Sequence, residues 1–240
     1  DLLKYNKSSL LDINVSACVT KNREGKELNN LAALKKSGAV SFTDDGSPVY
    51  NPHLMRLALE EAGKINSVIV QHAEDMDLSN HGVMNEGVVS KKLKVKGIPE
   101  ISETMIVERD ILLTEFVKNG HYHIQHISCG RSIEMLRDAQ KRFLNKKINV
   151  TGEACPHHFI LDETALLKYG TNAKMNPPLR TRKDVEGIIK GIKDGTIEVI
   201  CTDHAPHTKE EKSKGLNKAP FGIVGLETAI GLNYTFLVKK

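Results

Sequence analysis

A chain of 240 residues, 40% of them hydrophobic, is long enough to bury one large core or two small ones. No apolar run approaches the roughly 18 residues that a membrane-spanning helix needs, and no signal peptide opens the sequence. The formal charge of +4 comes from scattered basic residues, with 5% aromatics and no tryptophan, which excludes the basic, aromatic-studded face of a nucleic-acid binder. The densest basic run, Lys91, Lys92, Lys94 and Lys96, reads as a solvated loop. Cys18, Cys129, Cys155 and Cys201 show no CxxC spacing, which points to reduced thiols in a cytoplasmic protein rather than a disulfide framework. The chain starts at Asp1 without a methionine and stops at Lys240 inside a predicted helix, so it is expected to belong to something longer.

Taken in order, an amphipathic opening leads to a predicted strand at Ile13–Thr20 and a helix at Glu27–Lys36, stopped by Gly38. Ala39–Gly46 (AVSFTDDG) reads as a strand ending in two carboxylates. Asn51-Pro52 supplies an N-cap followed by proline in the first turn of a helix. The strand Ser67–Gln71 runs into His72, Glu74 and Asp75. From His81 to Glu100 the chain is polar and glycine-bearing, a long connection of the kind that serves a site. A helix from Ser102 to Val117 precedes a strand at His121–Ser128, which contains His126. A helix at Ser132–Phe143 and a strand at Ile148–His158 follow.

The double proline of KMNPPLRT (Lys174–Thr181) forbids helix. Val185, Ile188, Ile189 and Ile192 then recur at helical spacing, with Gly195 as the stop. Ile197, Val199 and Ile200 predict a short buried strand, closing on Asp203, His204 and His207. The charged stretch KEEKSKGLNK (Lys209–Lys218) is expected to be a mobile lid, and a last helix is expected from about Ile223.

Strand and helix thus alternate about six times, the pattern of a parallel sheet with helical crossovers. Ionisable residues mark most of the later strand ends, which favours a (β/α) barrel with one shared mouth over a doubly wound sheet. Asp45, His72, His126 and Asp203 stand at four of those ends. Carboxylate and neutral imidazole form the ligand set of zinc or a similar ion, and a pair of ions can polarise a carbonyl and supply a nucleophile. Each residue also has a plain reading: a strand-end histidine is usually a packing group, and Asp45 before Gly46 is also a turn signal. His121, His123, His157, His158 and His204 are read as packing or supporting groups.

SFTDDG, VQHAED, IQHIS, EACPHH, KMNPPLR, CTDHAPHT and KAPFGIVGLET together resemble the bacterial, class I type of dihydroorotase in the amidohydrolase superfamily. The resemblance runs along almost the whole chain. It implies a metal-dependent (β/α)8 TIM barrel, present here as about six of eight βα units, with residues 1–240 as one partial catalytic domain. It also implies reversible cyclisation of N-carbamoyl-L-aspartate to L-dihydroorotate with one or two Zn2+ ions.

By position, Asp45 would be the bridging ligand, His72 and His126 would hold one metal, and Asp203 would hold the other and shuttle the proton. Asn176 and His207 would bind substrate, with the backbone at Phe221 and Gly222 closing over the ring. The family's HxH pair, with its early substrate arginine and asparagine, has no counterpart before Asp45, so this stretch alone is not expected to turn over substrate. Two other readings stand beside this one. Hydantoinases and allantoinases usually bridge with a carboxylated lysine in a segment like SFK, where this chain has SFTDDG. Some dihydroorotase-like chains are non-catalytic partners of aspartate carbamoyltransferase. The partner expectations are a small-molecule substrate, a homodimer or a complex with that enzyme, and neither nucleic acid nor membrane.

Overall fold

The structure is a computed structural model that describes residues 3–4 and 12–239; most of the amphipathic opening lies outside the described residues. In chain order the elements are β1 (Val15–Ala17), α1 (Leu31–Lys36), β2 (Ala39–Phe42), α2 (Pro52–Lys64), β3 (Val68–Gln71), α3 (Met76–Ser79), β4 (Met84–Asn85), α4 (Val88–Leu93), β5 (Gly97–Ile98) and α5 (Ile101–Val117). They continue with β6 (His121–Ile124), α6 (Gly130–Phe143), β7 (Asn149–Ala154), α7 (Pro156–Ile160), α8 (Ala165–Tyr169), α9 (Arg182–Lys193), β8 (Val199–Ile200), α10 (Lys209–Lys212) and α11 (Ala229–Asn233). Among the described residues no helix is long and apolar enough to cross a membrane.

The chain forms two compact units. The first comprises Asp1–Ala73, Val107–Gln125 and Ala139–Thr151. It carries β1, β2, β3 and β6 as parallel neighbours in that order, with the start of β7 next in line. The register sets Ile69 beside Tyr122 and Gln71 beside Ile124, all four buried. Helix α2 packs on β3 and β6 through Met55, Ala58, Leu59 and Ala62, which are fully buried at helical spacing. Its start is as expected: the Asn51 side chain accepts from the N–H groups of His53 at 2.9 Å and Leu54 at 3.3 Å. Helix α1 begins later than the expected Glu27, at Leu31, because the Asn30 side chain accepts the Ala33 N–H at 3.0 Å and Leu28 bridges to Thr20.

Gln71 is a polar residue on the covered face of β3, and its pairing explains its place there. Its Oε1 accepts the Val49 N–H at 3.0 Å, and its Nε2 donates to Asp110 Oδ2 at 3.1 Å. Asp110 is wholly buried and also accepts from Arg109 Nε at 2.8 Å, while the Arg109 guanidinium donates to the carbonyls of Val49 and Tyr50. The loop after β2 is thereby bound to α5 and β3.

The second unit comprises Glu74–Ile106, His126–Asp138 and Gly152–Lys240. Here the end of β7 pairs in parallel with β8, Glu153 beside Val199 and Ala154 beside Ile200. The stretch from His81 to Glu100, expected as an open connection, folds into α4 flanked by the parallel pair β4 and β5. Met84 and Val89 pack there with Ala165, Leu166, Ala173 and Leu179, and the lysine run Lys91–Lys96 keeps its charges in solvent around the end of α4. Pro156-His157-His158 belongs to α7 rather than to a strand, since proline is at home in a first helical turn. Helix α9 has the expected apolar face and a capping box between Thr181 and Asp184, and Gly195 ends it at φ 78°. Strand β8 departs from expectation: Ile197 is buried, but Val199 is 41% and Ile200 38% exposed. Among the described residues β8 has one strand partner, β7, so its outer face is uncovered. The last helix starts at Ala229, not Ile223, because Ile223 is engaged with His204.

Burial pushes the Asp110 carboxyl up to about 6, against the pull of Arg109 and Gln71. A carboxyl with a raised folded pKa binds its proton more tightly than the unfolded chain does. Its stabilising contribution is full below about 3.8 and is lost as pH rises through about 6. Urea unfolding of wild type and Asp110→Asn across this range is expected to show the advantage of wild type shrinking as pH rises. A difference that stays constant with pH would refute the assignment.

Candidate active site at the strand ends

In the first unit the TDDG turn separates two neighbouring carboxylates. Asp44 is buried and accepts from the backbone N–H of Thr20 at 3.1 Å and from the Thr20 hydroxyl, which makes it a structural acid. Asp45 points elsewhere: its Oδ1 lies 3.6 Å from Nδ1 of His72, which is 3% exposed. The Asp45 N–H donates to Thr43 Oγ1 at 3.0 Å, and that hydroxyl donates to Gln125 Oε1 at 3.0 Å. The Arg23 guanidinium donates to the Asp45 carbonyl. The end of β2 is thus tied to the end of β6, and Gln125 N–H donates to Gln71 O at 3.1 Å. His72 follows directly on Gln71, the last residue of β3.

In the second unit His126 and Asp203 share an unusual backbone. Both are non-glycine residues with positive φ, 29° and 45°. Such conformations persist where the surroundings hold them, and they turn a side chain sharply out of the strand direction. The His126 N–H donates to Glu153 Oε1 at 3.3 Å, and Ile127 N–H donates to Glu153 O at 2.8 Å, so the end of β7 holds this turn. The turn after Asp203 is fixed by His204, whose Nδ1 accepts the N–H groups of Gly225 at 3.2 Å and Leu226 at 3.1 Å. It therefore supports the loop, in keeping with the sequence reading. In the first unit His121 Nε2 and His123 Nδ1 both hydrogen-bond Thr151 Oγ1, again as supporting groups.

The expected substrate residues of the second unit fall into two groups. His207 Nε2 donates to Phe221 O at 2.8 Å. Gly222, at φ 146°, lies so close that a Cβ there would sit 2.4 Å from Ala205 O and 2.8 Å from His207 Cδ2; only glycine fits. Asn176 Nδ2 donates to Glu74 Oε2 at 2.7 Å, a partner the sequence reading left unassigned. Lysines connect the two groups. Lys212 donates to the carbonyls of Lys174, Pro220 and Gly222 at 3.3, 3.0 and 2.9 Å. Lys174 donates to those of Leu216 and Ala219 at 2.7 and 2.6 Å and lies 4.4 Å from the Phe221 ring centre. Burial lowers the pKa of both lysines.

Lys209–Lys218 is therefore held by its own lysine rather than left as a bare lid. It opens with a capping box between Thr208 and Glu211. A cavity of about 180 Å³ lined by Pro156, His157, Ile160, Thr202, Ile223 and Leu232 is mainly apolar and carries no cationic side chain. It does not suit an anionic substrate.

The parallel strands with helical crossovers are those of an amidohydrolase-type (β/α)8 barrel, present in part. A solved D-hydantoinase aligns over 100% of this chain and 55% of its own with a TM-score of 0.80 at 18% identity. Dihydroorotase from Saccharomyces cerevisiae, solved with 5-fluoroorotic acid, aligns over 92% of this chain and 60% of its own with a TM-score of 0.69 at 15% identity. At those identities the likeness concerns the fold. The dihydro-orotase-like family model matches residues 4–132, and the chain belongs to that family. A dihydroorotase of Endomicrobium trichonymphae is 45% identical over 239 residues, 100% of this chain and 56% of its own length. One from Pelotomaculum thermopropionicum is 49% identical over 220 residues, 92% of this chain and 50% of its own. The chain spans about half the length of the curated relatives it matches.

Lys212→Met is expected to strand three carbonyls in a buried setting, at about 1–3 kcal/mol each where water cannot replace the ammonium. Limited proteolysis of the variant should cut within 213–222 much faster than in wild type. Equal rates would show that the lysine does not hold the segment.

Proposed function

We propose that the protein carrying this chain is a dihydroorotase, a cyclic amidohydrolase that interconverts N-carbamoyl-L-aspartate and L-dihydroorotate in pyrimidine synthesis. The observation that carries this reading is the placing of the Asp45 carboxylate 3.6 Å from His72, at the end of β3, whose neighbour β6 leads into His126. Carboxylate and imidazole at strand ends suit a borderline divalent ion, with Asp44 spoken for by Thr20. Asp45, His72 and His126 would hold one ion, with Asp45 bridging to a second held by Asp203; zinc is the proposed metal. When bound, the metal supplies Lewis acidity to the amide carbonyl and lowers the pKa of water.

In this reading Asp203 takes and returns the proton as the ring opens and closes, and its φ of 45° turns the carboxylate from the strand line. Asn176 and His207 bind the substrate's polar edge, and the backbone of Phe221 and Gly222 covers its ring. Residues 1–240 form one partial catalytic barrel domain, cytoplasmic, working as a homodimer or with aspartate carbamoyltransferase. Relatives 44–49% identical across the chain bear the dihydroorotase name, so the hydantoinase and allantoinase reading is not favoured.

In protein that contains the whole barrel, Asp203→Asn is expected to cut kcat by about 10²–10⁴-fold with the circular dichroism spectrum unchanged. A near-wild-type kcat would remove Asp203 from proton transfer. Asn176→Ala and His207→Ala are expected to raise KM for dihydroorotate while metal content stays constant. Loss of metal on His207→Ala would make that histidine a ligand instead.

A further inference from the structure

The cysteines look isolated in the sequence, yet the second unit brings two of them together. Cys155 follows the last residue of β7 and Cys201 the last residue of β8, and Cys201 N–H donates to Ala154 O at 3.1 Å. Their Sγ atoms lie 3.2 Å apart, both as free thiols. Pro156 then turns the chain into α7 and sets His157 and His158 over the same point, with ring centres 4.3 Å apart. One ligand atom each from Cys155, His157 and His158 lie within 4.8 Å of one another, and all three residues are buried.

Two of the imidazole nitrogens show that the cluster is more than packing. His158 Nε2 lies 2.9 Å from Pro177 O, which can only accept, so the proton sits on Nε2 and Nδ1 carries a lone pair. That Nδ1 is buried with no hydrogen-bond partner, and so is His157 Nε2. Buried polar atoms are almost always satisfied, and an imidazole held through its far nitrogen by a backbone carbonyl is the usual support of a metal ligand. His157 is itself buried, with the His158 ring packed edge-on against it. The Cys155 sulfur lies against that of Cys201 and within 4.8 Å of a ring nitrogen of each imidazole.

We propose that Cys155, His157 and His158 form a three-ligand site for a borderline-soft divalent cation of the zinc type, with the Cys201 thiol alongside. Thiolate and imidazole donors select zinc over magnesium or calcium. It lies where β7 pairs with β8, beside the strand that leads to Asp203 two residues beyond Cys201. The proposal shares no ligand with the dihydroorotase reading and stands without it.

The test is a cobalt(II) titration of reduced protein under anaerobic conditions, in a background carrying Asp45→Asn and His72→Asn to silence the other candidate ligands. One equivalent of cobalt is expected to give a thiolate-to-cobalt charge-transfer band and the strong visible bands of tetrahedral coordination. Cys155→Ser should abolish the charge-transfer band. His158→Ala should weaken cobalt affinity by at least about 10–100-fold, the loss that even outer contacts produce. Should a variant unfold, the parent protein gives a second readout: one equivalent of zinc should slow alkylation of Cys155 but not of Cys18. A titration without a thiolate band, a band that survives Cys155→Ser in folded protein, or alkylation indifferent to zinc would each overturn the site.

Discussion

The buried guanidinium of Arg180 is the tie on which the second unit depends. It donates to Ile98 O at 2.6 Å, to Asn85 Oδ1 at 3.1 Å and to Ser128 Oγ at 3.1 Å. The Ser128 hydroxyl passes its own proton toward Glu103, whose other oxygen takes the Ser132 hydroxyl at 2.7 Å. Glu103 and Arg180 are 3% and 2% exposed, with their nearest charged atoms 4.0 Å apart. The pair therefore acts chiefly through shared hydrogen bonds. Asn85 extends the chain to Glu163 at 2.6 Å, and Glu163 N–H returns to Arg180 O at 2.7 Å. Removing one partner of such a pair costs about 3–5 kcal/mol, because the other is left charged and buried. The strands β4 and β5, the start of α5, the turn after His126 and the KMNPPLR loop all meet at this network. Asn176 stands four residues before Arg180, so the loop that carries it is anchored at its far end.

The first unit uses neutral amides for the same purpose. Gln71 and Gln125 follow one another across the β3–β6 register, and their side chains reach Val49 and Thr43, on either side of the TDDG turn. A carboxylate at the mouth must be positioned by groups that do not compete for its charge. Threonine hydroxyls and glutamine amides satisfy that requirement, and Asp44 absorbs the remaining Thr20 donors. This division of labour between adjacent aspartates follows from geometry alone, since the two residues are chemically identical.

Much of this was legible in the sequence, because the features concerned are local. The helix from Asn51-Pro52, the stop at Gly195 and the alternation of strand and helix depend on dihedral preference and apolar spacing over a few residues. The strand-end position of His72 could be read in the same way, whereas His126 and Asp203, expected at strand ends, lie two and three residues beyond β6 and β8 with positive φ. The misreadings have a common cause, which is contact between distant residues. Nothing local announces that Lys212 will reach Lys174, Pro220 and Gly222, so Lys209–Lys218 looks like a loose charged stretch. The stretch around Val89 looks polar until Leu166 and Leu179 cover it. Val199 and Ile200 carry the composition of a core strand, but burial requires a neighbour on each side, and among the described residues β7 is the one they have. The meeting of Cys155 with Cys201 was equally invisible, being a product of strand pairing over 46 residues.

The positive φ angles of His126 and Asp203 carry a consequence for how this fold can drift under selection. Glycine would relax each turn by roughly 1–2 kcal/mol of steric cost while leaving the surrounding hydrogen bonds in place. A library screened only for thermal tolerance would therefore enrich glycine at 126 and 203, the positions of the proposed imidazole ligand and the proposed proton carrier. Thermal endurance and the proposed chemistry would pull the same polypeptide in opposite directions, and the conflict is confined to two backbone torsions.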